Sequence, residues 1–184
     1  MILVRHAETE WNVHYGRTRI DPGIPDPPLT PAGRAQAERL IDALAAEGVA
    51  RLISSPYRRA LETATIIARG LDLAISVEPL VRERCAFSCD VGTPCSLLRT
   101  RWPDLDFAHL EEQWWGGGAE ESVASVRDRG AAFYAKTADL PERGRIAVIT
   151  HWGFIRALTG QELSNARFVR HRAADPAPIL HPMP

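Results

Sequence analysis

Short apolar runs alternate with helix-like stretches along this sequence. Buried strands are predicted at residues 2–4, 51–54, 73–77 and 146–149, where apolar side chains are consecutive or alternate with polar ones. Between and after these runs, apolar positions recur at helical spacing, in residues 31–47, 56–69, 120–138 and from residue 153 onwards. This alternation is typical of an α/β fold, a three-layer α-β-α arrangement whose mostly parallel central sheet has helices on both faces.

Four local features set further boundaries. Residues 13–29 contain glycines and several prolines and predict a long loop after the first strand. Ser55 is suited to cap the helix that follows the second strand, and Gly70 is suited to end it. Residues 94–102 predict a short helix within an otherwise irregular stretch.

Size and composition indicate one domain spanning residues 1–184. The chain has 184 residues, 45% of them hydrophobic, and a net charge of -1. The near-neutral charge argues against nucleic acid or a membrane as the main partner, and no apolar run is long enough for a transmembrane helix. Residues 175–184 contain four prolines and predict a loosely held tail.

The chain start and the cysteines favour a cytoplasmic protein. Met1 directly precedes the first strand, without the basic segment or cleavage site of a signal peptide. The three cysteines, Cys85, Cys89 and Cys95, suit free thiols in a reducing compartment. A zinc site is the alternative, but it needs a fourth ligand, and no Cys-x-x-Cys pair is present.

Candidate chemistry gathers where predicted strands end. Arg5 and His6 follow the first strand, and His151 follows the strand at residues 146–149. Arg59 lies with Arg58 in the first turn of a helix, where the macrodipole disfavours cations and at most one of the two need face a ligand, and Glu83 follows the third strand. Because ligands bind at the carboxyl ends of parallel strands, all five side chains are expected at one edge of the sheet. Each side chain also has a non-functional interpretation: as a solvated arginine, as a structural histidine or, for Glu83, as the partner in a surface ion pair.

Two histidines, two arginines and one carboxylate suit phosphoryl transfer. Its transition state spreads negative charge over the phosphoryl oxygens, which cations stabilise. The histidines and the carboxylate are not at metal-ligand spacing, so no metal and no cofactor is expected. The Gly-x-Ser-x-Gly motif of a serine hydrolase is absent from the sequence.

The chain resembles the phosphoglycerate mutase-like branch of the histidine phosphatase superfamily. The matching segments, in chain order, are RHAETEWN at residues 5–12, PLTPAG at 28–33, SSPYRRALETA at 54–64, LVRE at 80–83, ES at 121–122 and THWG at 150–153. The ordered set extends from residue 2 to about residue 165 and is far more specific than the Arg-His pair alone.

The resemblance implies a role for each site residue. His6 would be a neutral nucleophile that forms a phosphohistidine, with one ring nitrogen oriented by a hydrogen bond. Arg5, Arg59 and His151 would clamp the phosphoryl group. Glu83 would be the proton donor. Further phosphate-binding or rim residues implied by the resemblance are Asn12, Arg17 and Trp152.

Two details follow from these roles. To act as an acid, Glu83 should have a raised pKa, so Arg82 and Arg84 are expected to point away from its carboxylate. The sequence departs from the family pattern at Ala7 and Trp152, which stand where glycine is usual, and after Glu83.

The resulting hypothesis is a phosphomonoester phosphatase acting on a small phosphorylated substrate. A phosphoglycerate mutase-type transfer between sugar acids is one alternative, and a non-catalytic phospholigand-binding module on the same fold is another. The short region after Glu83 offers little room to retain an intermediate, which favours hydrolysis. Trp114, Trp115 and residues 116–118 are interpreted either as an aromatic substrate wall, and then the main source of specificity, or as a plug of the core.

Overall fold

The computed structural model describes residues 1–117 and 119–172. One mixed sheet contains five strands: β1 (Ile2–Arg5), β2 (Arg51–Ser54), β3 (Ile75–Val77), β4 (Ile146–Thr150) and β5 (Phe168–Arg170). Their order across the sheet is β3-β2-β4-β1-β5, and every pair is parallel except β1 with β5. The predicted mostly parallel sheet is confirmed, while the predicted tail at residues 175–184 lies outside the described residues.

Helices cover both faces of this sheet. They are α1 (Glu10–Thr18), α2 (Pro31–Ala46), α3 (Arg58–Leu71), α4 (Cys95–Arg101), α5 (Val123–Lys136) and α6 (Trp152–Thr159). Alternate strand residues point to opposite faces. Ile2 and Val4 therefore pack with α2 and α3, whereas Leu3 packs with α5 and α6. The three-layer prediction is confirmed. Within the described ranges, no helix is both long and apolar enough to span a membrane.

The register of β1 and β4 determines where the two histidines lie. Arg5 is paired with Thr150, and the backbone N–H of His6 donates to the carbonyl of Thr150 at 2.9 Å. His6 and His151 therefore leave neighbouring parallel strands at the same level. The expectation that both strand ends meet at one edge of the sheet is confirmed.

The predicted loop at residues 13–29 is wrong in its first part, because α1 extends to Thr18. A capping box begins this helix: Thr9 accepts from the backbone N–H of Asn12, whose side chain accepts from the backbone N–H of Thr9. Trp11 is buried beneath the helix and anchors it. The prolines begin at Pro22, after the helix has ended, so they do not interrupt it.

Three other boundaries differ from the predictions. Helix α3 begins at Arg58 with Tyr57 as its cap residue, because the Ser55 hydroxyl is engaged with His151. It passes Gly70 and ends at Leu71, since Asp72 takes the left-handed conformation that closes it. Strand β3 is shorter than residues 73–77, and β5 had no clear signal in the sequence.

Candidate active site

One hydrogen bond and a lowered pKa favour a neutral His6 in one defined tautomer. Its side chain is buried, and Nδ1 lies 2.8 Å from the carbonyl oxygen of Ala7. Since a carbonyl can only accept, Nδ1 donates its proton and the lone pair is left on Nε2. Burial, followed by the charges of Arg59 and Arg5, lowers the pKa of His6 well below 6.5. The orientation by one hydrogen bond was predicted, and the structure contains it.

His151 lies directly beside His6, with 5.2 Å between the ring centroids. Its Nε2 is 2.8 Å from the hydroxyl oxygen of Ser55, and the ring of Tyr57 packs edge-on against it. Burial, and then Arg59, lowers the pKa of His151 well below 6.5. Nδ1 is buried and has no hydrogen-bond partner among the described residues. If Ser55 donates to Nε2, Nδ1 carries a proton that a phosphoryl oxygen can accept.

Arg5 also retains hydrogen-bonding capacity. One terminal nitrogen, Nη1, donates to the carbonyl of Leu163 at 2.7 Å, whereas the buried Nε has no partner within the described residues. Burial lowers the pKa of Arg5 to about 10, with Glu83 opposing this shift and Arg59 adding to it. Arg5 is therefore cationic at neutral pH and has an unsatisfied donor that an anion can bind.

Arg59, rather than Arg58, lies beside the histidines. Its guanidinium is 2% exposed and stacks on the ring of Tyr57, with 4.3 Å from Cζ to the ring centroid. Arg58 instead forms an ion pair with Glu62, 2.7 Å from Nε to Oε1. The family pattern selected the same arginine.

Sequence reasoning missed the residue that holds Arg59. Asp90 is almost fully buried, and its Oδ1 lies 3.1 Å from Nη2 of Arg59. Its other oxygen accepts the backbone N–H groups of Ala86 and Phe87, both at 3.0 Å. Asp90 thereby fastens residues 84–93, which we call the strap, onto Arg59. A buried arginine requires an acidic partner, but nothing in the sequence indicates which acidic residue supplies it.

Glu83 is held at the N-terminus of α6. Oε1 accepts from the backbone N–H of Phe154 at 3.1 Å, and Oε2 accepts from that of Gly153 at 3.2 Å. Burial, followed by the charge of Asp90, raises the pKa of Glu83, although Arg59 and the backbone donors oppose the shift. A Cβ on Gly153 would lie 2.6 Å from Oε1, so this close approach requires glycine.

Both arginines that flank Glu83 face other carboxylates. Arg82 lies 3.6 Å from Oε1 of Glu121, and Arg84 forms an ion pair with Glu120. The prediction that they point away is confirmed, and so is the raised pKa of Glu83. Neutral imidazoles, two cations and a carboxyl with a raised pKa therefore lie together at one edge of the sheet.

The model of the histidine phosphatase superfamily, branch 1, matches residues 1–177. The chain belongs to this superfamily. The Arabidopsis thaliana phosphoglycerate mutase-like protein 4 is 32% identical over 174 residues, covering 92% of this chain and 73% of that protein. The probable phosphoglycerate mutase GpmB of Proteus mirabilis is 30% identical over 160 residues, covering 81% and 67% respectively.

Solved structures of two phosphatases share the fold. A mycobacterial glucosyl-3-phosphoglycerate phosphatase in complex with VO3 gives a TM-score of 0.64 at 23% identity, over 91% of this chain and 90% of that one. A phosphoserine phosphatase mutant from Entamoeba histolytica gives 0.57 at 24% identity, over 85% and 75%. At these identities the likeness establishes the fold.

Among the residues implied by the family pattern, Asn12 joins the site through its backbone neighbours. Its Oδ1 accepts from Thr9 and from Nδ2 of Asn165, which also donates to the carbonyl of His6. These contacts fix the amide and leave its Nδ2 without a partner in the described parts of the chain. Asn12 is therefore linked to the main chain of His6 through Asn165, and its own Nδ2 group remains available to donate to a ligand.

Arg17 and Trp152 are not brought into contact with the histidines. Arg17 is exposed on α1 and lines a surface pocket with Glu10 and His14. Trp152 begins α6, half-buried, and the guanidinium of Arg156 lies 5.4 Å from its ring centroid. Ala7 has no positive φ, so the usual glycine is not required at that position.

Trp114 supports the site from the core. It is buried, packs edge-on against Tyr57 with 4.7 Å between ring centroids, and donates Nε1–H to the carbonyl of Thr93. This favours the core-plug interpretation for Trp114, while Gly118 lies outside the described residues. The three cysteines are all buried. No cluster of three potential metal ligands occurs in residues 1–117 and 119–172.

Proposed function

We propose that this protein is a metal-independent phosphomonoester phosphatase that works through a phosphohistidine on Nε2 of His6. The observation that carries the proposal is the 2.8 Å contact between Nδ1 of His6 and the carbonyl oxygen of Ala7, which leaves the lone pair on Nε2, with the charges of Arg59 and Arg5 close to the ring. Membership in the histidine phosphatase superfamily supports this chemistry, because the phosphohistidine mechanism is general to that family.

In the first step the Nε2 lone pair attacks phosphorus and the bond from phosphorus to the leaving oxygen breaks. Arg5 and Arg59 neutralise the negative charge that develops on the phosphoryl oxygens, and the unpartnered Nδ1 of His151 contributes a further contact. Glu83 gives its proton to the leaving oxygen, so an alcohol departs rather than an alkoxide. These charges meet the needs of the transition state without a metal ion.

In the second step the Glu83 carboxylate takes a proton from water as the water oxygen attacks phosphorus. The bond between phosphorus and Nε2 breaks, inorganic phosphate leaves, and neutral His6 and protonated Glu83 are restored. Splitting one difficult displacement into two easier ones is the advantage of a covalent intermediate. The raised pKa of Glu83 suits a group that must alternate between acid and base.

Charge pairing around the site favours hydrolysis over mutase chemistry. A mutase substrate of the sugar-acid type carries a carboxylate besides its phosphate. Arg58, Arg82 and Arg84 are the cations adjacent in sequence to the site residues, and each forms an ion pair with a glutamate. Because these three arginines are already paired, they are not available to bind the extra carboxylate, and a small monoester without it fits the site better. Several curated relatives nevertheless carry mutase names.

Phosphate release and isomer interconversion, measured on the same preparation, test the proposal. We expect the purified protein to release inorganic phosphate from 4-nitrophenyl phosphate and from small alkyl phosphates, with no loss of rate in EDTA. Interconversion of 2- and 3-phosphoglycerate should be slow relative to phosphate release. Faster interconversion would support the mutase, and binding of phosphate without either activity would support the non-catalytic module.

The pH profile of kcat/KM should be broad, with its acidic limit below the usual pKa of histidine and its alkaline limit above the usual pKa of glutamate. Because the pKa of His6 is well below 6.5, its neutral form persists into acid, and the rate should fall only well below pH 6.5. Because the pKa of Glu83 is raised, its acid form persists above the usual range, and the rate should fall as pH rises through that value. Steady-state profiles should lose the upper limit in Glu83→Gln; a profile unchanged in that variant contradicts the assignment.

A further inference from the structure

We propose that Glu121 and Arg129 form a bracket that positions Glu83. The inference rests on the proposed function, because it concerns the proton donor of that reaction. Neither residue is hydrogen-bonded to a histidine in the described parts of the chain. The charge of Arg129 contributes to the lowered pKa of His151, but Arg129→Lys retains that charge, so the effect of this variant on the leaving-group dependence acts through Glu83. The Glu-Ser pair at residues 121–122 was one of the matching sequence segments, and the mechanism so far gives it no role.

Arg129 holds the backbone on which Glu83 is carried. It is 7% exposed, and its Nη1 donates to the carbonyls of Leu80 at 2.6 Å and Arg82 at 3.0 Å. Its Nη2 reaches the carbonyl of Glu83 itself at 3.3 Å. One guanidinium therefore grips three carbonyls in a four-residue span that has only a short 3₁₀ turn, residues 79–81, to order it.

Glu121 fixes Arg129 and clasps the same segment from its other side. Its two carboxylate oxygens accept from Nε and Nη2 of Arg129 at 2.8 and 2.9 Å, a bidentate pair. Its backbone N–H donates to the carbonyl of Cys85 at 2.8 Å, and its carbonyl accepts from Nε of Arg84 at 2.7 Å. Burial acts to raise the pKa of Glu121, but the hydrogen bonds from Arg129 outweigh it and lower that pKa, so the bracket stays charged.

The bracket and α6 constrain different parts of the proton donor. The amides of Gly153 and Phe154 orient the carboxylate of Glu83, while Arg129 and Glu121 fix its main chain. A planar fork is needed for this task, because the ammonium group of a lysine cannot hold three carbonyls and a bidentate carboxylate together. A shift of about 1 Å in a catalytic group can cost roughly 10²-fold in rate.

Leaving-group dependence separates positioning of Glu83 from a merely structural role. The 4-nitrophenolate ion leaves with little help from an acid, whereas an alkoxide needs a proton. The comparison uses kcat/KM, which covers binding and the first step only, because hydrolysis of the phosphohistidine in the second step is common to all substrates. In Arg129→Lys and in Glu121→Gln, we expect kcat/KM for glycerol 2-phosphate to fall roughly 10²-fold. The kcat/KM for 4-nitrophenyl phosphate should fall less than about threefold, because acid assistance contributes little to that first step.

Arg127 supplies the matched control. It lies on the same helix α5 and donates Nε–H to the carbonyl of Ala157 at 3.0 Å, away from the Glu83 segment. Arg127→Lys should leave the ratio of the two kcat/KM values unchanged. Circular dichroism checks the fold of every variant, and if Arg129→Lys does not fold, the nearly isosteric Glu121→Gln decides. Equal losses for both substrates in a folded bracket variant would overturn the positioning role.

Glu83→Gln, measured in parallel, distinguishes the two proposals. If it loses activity selectively on glycerol 2-phosphate but the bracket variants do not, the bracket is wrong and the proposed function stands. If Glu83→Gln itself shows no selective loss, Glu83 is not the proton donor, and both proposals fail. A selective loss in all three variants supports both.

Discussion

His6→Ala is expected to abolish phosphatase activity, with kcat falling on the order of 10⁴-fold or more, because the residual rate then comes from binding and charge stabilisation alone. The variant removes the nitrogen that accepts the phosphoryl group, and no neighbouring group can replace it. The nearby imidazole of His151 is already engaged with Ser55 through Nε2. Release of 4-nitrophenol from 4-nitrophenyl phosphate measures the loss.

An exposed histidine far from the site in sequence provides the control for this variant. His109 lies on the surface, so His109→Ala removes an imidazole without touching the site and should hydrolyse the substrate at the wild-type rate. Quenching a reaction with labelled substrate in alkaline detergent should trap phosphate on the wild-type protein that is stable to base and released by acid, and none on His6→Ala. Hydrolysis by His6→Ala as fast as by wild type would refute the phosphohistidine mechanism.

The strand-end histidines could be predicted because parallel sheets convert sequence order into spatial order. Arg5-His6 and Thr150-His151 both follow apolar runs, and the carboxyl ends of parallel strands meet at one edge. The prediction also required β1 and β4 to be neighbours, which the sequence did not establish. The structure meets this condition, because Arg5 of β1 is paired with Thr150 of β4. The local sequence pattern therefore predicts those candidate site residues that directly follow a strand.

The parts that could not be predicted depend on contacts between distant segments. Asp90 reaches Arg59 across 31 residues, and the strap that carries it has no periodic pattern. The bracket is a similar case, because Arg129 grips carbonyls 46 to 49 residues earlier in the chain. Helix α1 was missed for a different reason: Gly16 and the prolines that follow the helix were taken together as the sign of one long loop, although the capping box at Thr9 marked a helix start.

Arg59→Met should lower both activity and stability. Without the guanidinium, the phosphoryl clamp is weakened, and kcat should fall roughly 10²–10³-fold. The substitution also leaves Asp90 buried without its cation, and breaking a buried pair in this way destabilises by about 3–5 kcal/mol. Urea denaturation gives the change in the free energy of unfolding, and turnover of 4-nitrophenyl phosphate gives the change in rate.

Adding Asp90→Asn separates these two roles of Arg59. The asparagine removes the stranded charge while its oxygen can still accept the backbone N–H groups of the strap, so the double variant should regain much of the lost stability. It should regain none of the lost activity, because the phosphoryl group still lacks its cation. Arg58→Met is the matched control: that half-buried arginine pairs with Glu62, which retains Arg34, so activity should stay near wild type. Full activity in Arg59→Met would mean that Arg59 does not clamp phosphate, and no recovery of stability in the double variant would mean that it does not neutralise Asp90.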